Sequence, residues 1–242
     1  MKLAIAQSRS MLGALSTNLQ THQRWVDRAV QMGADAIAFP ELSLTGYAPT
    51  LAEPLAMSPT DDRLVPFQHI ADRDRIAIGV GLPTRHPDGI GISLVWFHPH
   101  AAPQVYTKQY LHPDEEPFFV PGENLNKLLG PERDIALSIC YEISVPEHAA
   151  HSKHRGANVY CASVAKTARG VQAAHQTLST TAAQQGLLVL MANCVGPSGD
   201  GLCTGQSAAW DEKGRLLGKL DDVREGILSV DTDTRQVITE LF

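Results

Sequence analysis

Three residues of this 242-residue chain each follow a short apolar run: Glu41 after "DAIAFP", Lys108 after "VYT" and Cys140 after "DIALSI". A carboxylate, an amine and a thiol are the groups that nucleophilic acyl transfer needs, as base, oxyanion stabiliser and nucleophile. A free thiol, with a pKa of about 8.5, is only slightly ionised at neutral pH, so a carboxylate must take its proton as substrate arrives. Each residue alone has a plainer account. A cysteine behind an apolar run is more often a small core residue, Glu41 alone is a turn cap, and Lys108 alone is a solvated amine. Their shared position is what joins them. Glu142, Ser163 and Asn193 also stand just past apolar runs and complete the set of polar residues to be placed.

The elements that must position these residues alternate along the chain. Short apolar runs read as buried strands: residues 2–7, 35–40, "RIAIGVGLP", "GISLVWFHP", "PQVYTKQ", 134–140, "NVYCAS", "LLVLMANC", "GQSAAWD", "RLLGKL" and "GILSVDTD". Amphipathic stretches between them read as helices. One begins with Ser16 or Thr17 as N-cap and stops at Gly33; others cover residues 62–73, 171–185 and "PEHAAHSKHRG", with Pro146 in its first turn. This alternation predicts an α/β sandwich, and no linker, repeat or low-complexity tract divides it, so residues 1–242 form a single domain. In such a fold ligands sit beyond the carboxyl ends of the strands, where Glu41, Lys108 and Cys140 all fall.

Composition narrows the classes. Hydrophobic residues make up 43% and charged residues 19% of the chain, as in a soluble globular protein. A net charge of −6 without clustered Lys and Arg argues against nucleic acid as a partner. No apolar run is long enough to span a membrane, and the amino terminus lacks the features of a signal peptide. Cys140, Cys161, Cys194 and Cys203 form no CxxC pair, which fits a reducing compartment and a cytoplasmic protein. His148, His151 and His154 fall at steps of three on one helix, but with no companion carboxylate or cysteine cluster they read as a solvated face, and no metal site is expected. A Cys–His pair using His148 or His112 would leave Glu41 and Lys108 unexplained.

Three blocks, "FPELSLTGY" (39–47), "YTKQYLHPDEEPFFVPGE" (106–123) and "LSICYEISVPE" (137–147), resemble in order and spacing the catalytic blocks of the nitrilase superfamily, the carbon–nitrogen hydrolases. "MKLAIAQ" and "GQSAAWDEKGRLLG" extend the resemblance over almost the whole chain. The resemblance implies a four-layer αββα sandwich and a homodimer. It makes Glu41 the general base, Lys108 the oxyanion-stabilising amine and Cys140 the nucleophile, with the Tyr141 N–H as a second oxyanion donor. The second glutamate of the family is matched by Glu115, four residues before Phe119 and followed by Pro121 and Gly122; the adjacent Glu116 stays open. Ser163, Lys166 and Glu142 join Tyr141 as substrate-contact candidates.

The activity that follows is cofactor-independent hydrolysis of a non-peptide C–N bond in a small amide through a cysteine thioester. A nitrilase or a carbamoyl-amide hydrolase would use the same residues, and a catalytically silent binding protein could keep the fold. "CYEISVPE" departs from the Cys-Tyr-Asp-x-Arg-Phe-Pro-Glu form of several branches. Substrate rules that depend on that arginine therefore do not transfer. The exposed or last-strand apolar residues Val237, Ile238, Leu241 and Phe242 suit either a dimer interface or a final core strand.

Overall fold

Neighbouring residues of a strand face opposite ways, and this alternation generates the layers. In the computed structural model, which describes residues 1–123, 128–130 and 134–242, Leu3 and Ile5 pack into one core cluster while Ala4 and Ala6 pack into another. The first half of the chain runs β1 (Lys2–Gln7), α1 (Leu15–Gln31), β2 (Ala36–Ala38), α2 (Ala52–Leu55), α3 (Val65–Asp74), β3 (Ala77–His86), β4 (Gly89–Phe97) and β5 (Gln104–Thr107). The second half runs β6 (Ile135–Ile139), α4 (Pro146–His154), β7 (Val159–Val164), α5 (Ala168–Gln185), β8 (Leu188–Asn193), β9 (Val195–Ser198), β10 (Gly201–Thr204), β11 (Ala208–Trp210), β12 (Leu216–Lys219), β13 (Gly226–Asp231) and β14 (Val237–Leu241).

Two main sheets result, of order β14-β13-β1-β2-β3-β4-β5 and β12-β11-β8-β7-β6. Leu3, Ile5 and Trp96 of the first sheet share a cluster with Leu137, Ile139, Val159 and Leu190 of the second, so the sheets face each other. The outer face of the first carries Ile37 and Phe39 against Trp25, Val26, Phe67 and Ile70 of α1 and α3. The outer face of the second carries Tyr160, Val189 and Met191 against Ala149, Val171 and Leu178 of α4 and α5. Three apolar clusters between four layers are the αββα sandwich expected from sequence. Among the described residues no helix is long and apolar enough to cross a membrane.

Several local expectations shift. Helix α1 starts at Leu15 behind Ala14, with no side-chain cap, rather than behind Ser16 or Thr17. The Asn18 side chain ties down this corner instead, accepting from Met11 N (2.8 Å) and donating to the Met11 (2.8 Å) and Leu44 (3.0 Å) carbonyls. The hairpin β9–β10 occupies a stretch to which the sequence assigns no element, and β14 proves to be the outermost strand of the larger sheet. His151 and His154 are exposed, but His148 is buried, which corrects the solvated-face reading. Tyr106 from one sheet and Tyr160 from the other bring hydroxyls to its ring nitrogens at 2.7 and 2.8 Å.

His22 in α1 is also buried. Its Nδ1 donates to the Asn18 carbonyl (2.7 Å), its Nε2 accepts from Ser43 Oγ (2.9 Å) and its ring stacks on Phe39 at 4.2 Å. Burial holds the pKa of this ring down to about 4, against the upward pull of the Asn18 carbonyl. The unfolded chain therefore takes up a proton below about pH 6.5 that the native ring refuses until about pH 4, and stability is lost as pH falls through that window. The loss approaches about 3 kcal/mol for one such group. His22→Gln lacks this titration, so the stability advantage of wild type over the variant is expected to shrink from pH 7 to pH 4 in urea melts. A constant difference would contradict it.

Candidate active site

Glu41 lies just beyond β2, on a loop that folds over β3. The loop is tied to β3 by Phe39 N to the Gly79 carbonyl (2.9 Å) and Leu44 N to the Gly81 carbonyl (2.9 Å). Gly81 is what allows the approach: a Cβ there would stand 2.3 Å from the Pro40 oxygen and 2.6 Å from Leu42 N. His22 braces the same loop through Ser43, a contribution with no signal in the sequence. One carboxylate oxygen of Glu41 accepts from Lys108 Nζ at 2.8 Å. The other, Oε2, is buried and has no protein partner among the described residues.

Lys108 continues the line of β5, its N–H bonding to the Ile92 carbonyl (2.8 Å) on β4. Its side chain is fully buried, and Nζ donates to Glu41 and also to Glu115 Oε1 at 2.7 Å. Burial acts to lower the pKa of this amine, but the charges of Glu41 and Glu115, with that of Cys140 when it ionises, outweigh it, and the net shift is upward. Lys108 is thus an ammonium held between two buried carboxylates. Glu115 is itself fixed: Tyr47 donates to its Oε1 (3.1 Å) and the His112 N–H to its Oε2 (2.8 Å). Glu116, the alternative left open by the sequence, is exposed. Tyr47 closes the "FPELSLTGY" block, so its position was visible while its bond to Glu115 was not.

Cys140 follows the last residue of β6 and has φ 45°, a left-handed conformation that costs a non-glycine residue roughly 1–2 kcal/mol. The chain there turns from strand directly into a 3-10 helix, Cys140–Ser144. Cys140 is partly exposed. Burial and then the Glu41 charge push its pKa up to about 11, against the opposing pull of Lys166 and Lys108. Burial likewise raises Glu41, although Lys108 pulls it down. Tyr141 is the second residue of the 3-10 helix, in the first turn where N–H groups lack intrahelical partners, and its ring meets His112 edge-on at 5.3 Å.

The remaining candidates divide. Lys166 lies half-buried just past β7. Ser163 is fully buried and its hydroxyl donates to the Phe39 carbonyl at 2.7 Å, which links the two sheets behind Glu41. Glu142 is fully buried with both oxygens engaged by protein donors. Oε2 accepts from Ile139 N (2.7 Å) and Tyr106 Oη (2.7 Å), and Oε1 accepts from Gln109 N (2.6 Å). Ile139 precedes Cys140 and Gln109 follows Lys108, so Glu142 ties together the two chain segments that carry them. Both Ser163 and Glu142 therefore act as internal ties in place of the substrate contacts expected of them. Burial raises the Glu142 pKa to about 7. Among the described residues no group of three or more His, Cys, Asp and Glu side chains is arranged to hold a metal ion.

Two carboxylates hold one buried lysine, and Cys140 stands at a strained strand end. The carbon-nitrogen hydrolase family model matches residues 2–239, and the chain belongs to that family. An (R)-stereoselective amidase from Pseudomonas sp. is 30% identical over 208 residues, 82% of this chain and 74% of that protein. The amidase of Nesterenkonia sp. AN1 has 27% sequence identity and a TM-score of 0.86, with 96% of this chain and 92% of that one covered, in a mutant showing Michael addition of acrylamide at the active-site cysteine. Another mutant of that amidase, holding butyramide, has the same TM-score and identity over 96% of this chain and 90% of that one.

Proposed function

We propose that this carbon–nitrogen hydrolase cleaves the C–N bond of a small amide through a thioester on Cys140, with Glu41 as general base, Lys108 as oxyanion stabiliser and Glu115 as the residue that positions Lys108. The observation that carries the reading is the buried Glu41–Lys108–Glu115 group, with one Glu41 oxygen left without a protein partner among the described residues. The amidase relatives, one of them with an adduct at its active-site cysteine, support it.

A thiol raised to about 11 is protonated at neutral pH, so its ionisation is coupled to attack. As the sulfur forms its bond to the amide carbon, the thiol proton passes to Glu41, whose own affinity for protons is raised by burial. The C=O electron pair moves to oxygen, and the Lys108 ammonium with the Tyr141 N–H takes up that charge. Loss of one such donor typically costs about 3 kcal/mol of transition-state stabilisation. Collapse of the oxyanion breaks the C–N bond, and Glu41 returns its proton to the departing nitrogen, which leaves as ammonia. Water then attacks the thioester while losing a proton to Glu41. The C–S bond breaks, the acid is released and the proton goes back to sulfur.

Lys108 cannot replace Glu41 as base, because the surrounding negative charge keeps it protonated. Ammonia release from a panel of short aliphatic amides, matched nitriles and carbamoyl compounds tests the reading. Release from the amides at a higher kcat/KM than from the other two classes is expected; a preference for nitriles or carbamoyl compounds would overturn it. A homodimer and a cytoplasmic, reducing setting belong to the same proposal, supported by exposed Leu216, Val223, Ile238 and Phe242 and by four free thiols.

A further inference from the structure

The base and the nucleophile come from different sheets. Glu41 follows β2 of the larger sheet and Cys140 follows β6 of the smaller one, so the thiol proton has to cross from one layer to the other. The packing between these layers is apolar, with Leu3, Ile5 and Trp96 against Leu137, Ile139 and Leu190. Apolar burial is non-directional. A hydrogen bond across the layers adds what burial lacks, a narrowly set length and angle.

Ser163 supplies such a bond at the level of the site. Val159 and Cys161 on β7 face the core between the sheets, and strand alternation turns Ser163 the same way. Ser163 lies beside Ile139 in the β6–β7 register, and Cys140 is the next residue after Ile139. Its hydroxyl donates to the Phe39 carbonyl at 2.7 Å, and between Phe39 and Glu41 stands only Pro40, whose ring fixes φ. The path from nucleophile to base is therefore short and stiff: a ladder pair, one hydroxyl and one proline.

The Phe39 carbonyl depends on this donor. Strand β2 ends at Ala38, and among the described residues no backbone N–H donates to the Phe39 carbonyl. Both Ser163 and Phe39 are fully buried. With alanine at 163 the carbonyl would be left buried and unpaired, which drives the segment from Phe39 to Glu41 to shift toward another donor. A misplacement of about 1 Å in a reacting group costs up to about 10²-fold in rate.

We propose that Ser163 is a positioning residue of the reaction: by holding the Phe39 carbonyl it fixes the Glu41 carboxylate at the distance from Cys140 over which the thiol proton passes. This rests on the reading of Glu41 as base and of Cys140 as nucleophile, and it names the residue that sets their separation.

The test follows Cys140 acylation in Ser163→Ala, Ser163→Cys and Ser163→Thr by two reporters. One is ammonia release from propionamide; the other is the burst of p-nitrophenolate from p-nitrophenyl acetate, whose leaving group needs no proton. In Ser163→Ala, kcat for the amide and the burst rate for the ester are each expected to fall about tenfold, with KM within about twofold of wild type. Ser163→Cys keeps the shape but offers only a weak donor, whereas Ser163→Thr keeps the hydroxyl and changes the shape. The threonine variant is expected to be the faster of the two, with melting temperatures confirming folded protein. Unchanged rates in folded Ser163→Ala, a change confined to KM, or a cysteine variant at the wild-type rate beside a slow threonine variant would each overturn the proposal. The ester keeps this test apart from the amide reading. An ester burst without ammonia from any amide would remove that reading, and the burst rates of the variants would still decide this one.

Discussion

Replacing Lys108 with methionine is expected to lower kcat/KM for amide hydrolysis by about 10³-fold and to destabilise the protein by about 3–5 kcal/mol near pH 8. The two effects have one origin. Lys108 is the shared counter-ion of Glu41 and Glu115, both buried, and its removal leaves two carboxylates side by side without compensation. Such a pair takes up a proton, as like charges in one site raise one pKa strongly. The variant's native state then binds a proton that its unfolded state has released above about pH 4.5, so its stability falls as pH rises from about 5 to 8. Urea melts at pH 5 and pH 8 check this: the deficit relative to wild type is expected to be larger at pH 8. An equal deficit at both would mean that the lost lysine acts through packing, since its stem is also buried.

Replacing Cys140 with alanine is expected to reduce turnover by roughly 10⁴-fold or more, because no other group can form the covalent intermediate. Serine should do little better. Its hydroxyl is a far weaker acid than the thiol, and Glu41 cannot assist an alkoxide to the same degree. The fold should survive both changes, since the side chain is small and partly exposed. Steady-state ammonia release together with thermal melts separates the outcomes. Retained hydrolysis in a folded Cys140→Ala protein would exclude the thioester route.

How much of this was legible beforehand depended on the range of the interaction concerned. Strand β1 was read at its observed bounds, Lys2–Gln7, because a continuous apolar run between polar residues is a local signal. Helix α4 was legible at its start for a similar reason, since Pro146 suits a first turn. The hairpin β9–β10 was missed because "VGPSGDGLCT" is rich in turn residues and its pairing shows only in three dimensions. Glu41, Lys108 and Cys140 were visible as strand-end residues, and the structure brings Glu41, Lys108 and Glu115 into direct contact. Glu142 was not legible as a tie between chain segments, for its partners Ile139, Tyr106 and Gln109 lie on two different sheets or just beyond them. His148 was misread for the same reason: helical spacing says which face a residue occupies, but not that two tyrosines from separate sheets will cover that face.

The buried polar network beside the site carries its own consequence. Tyr160 donates toward His148, His148 toward Tyr106, and Tyr106 to Glu142, which in turn holds the backbone next to both Cys140 and Lys108. A chain of this kind is well satisfied only as a whole, and a break at any member leaves buried polar groups unpaired. The alignment of Cys140 and Lys108 therefore depends on residues remote from both side chains.

The central claim is that Cys140 carries the acyl group, and intact-protein mass spectrometry tests it most directly. Wild type and Glu41→Gln would be mixed with short amides for seconds, quenched in acid, weighed and then mapped by peptide. A mass gain equal to the amide minus ammonia, located on Cys140 and accumulating further in Glu41→Gln because deacylation also needs the base, is the predicted result. An acyl group on Cys161, Cys194 or Cys203, or undiminished ammonia release with none on Cys140, would contradict the account.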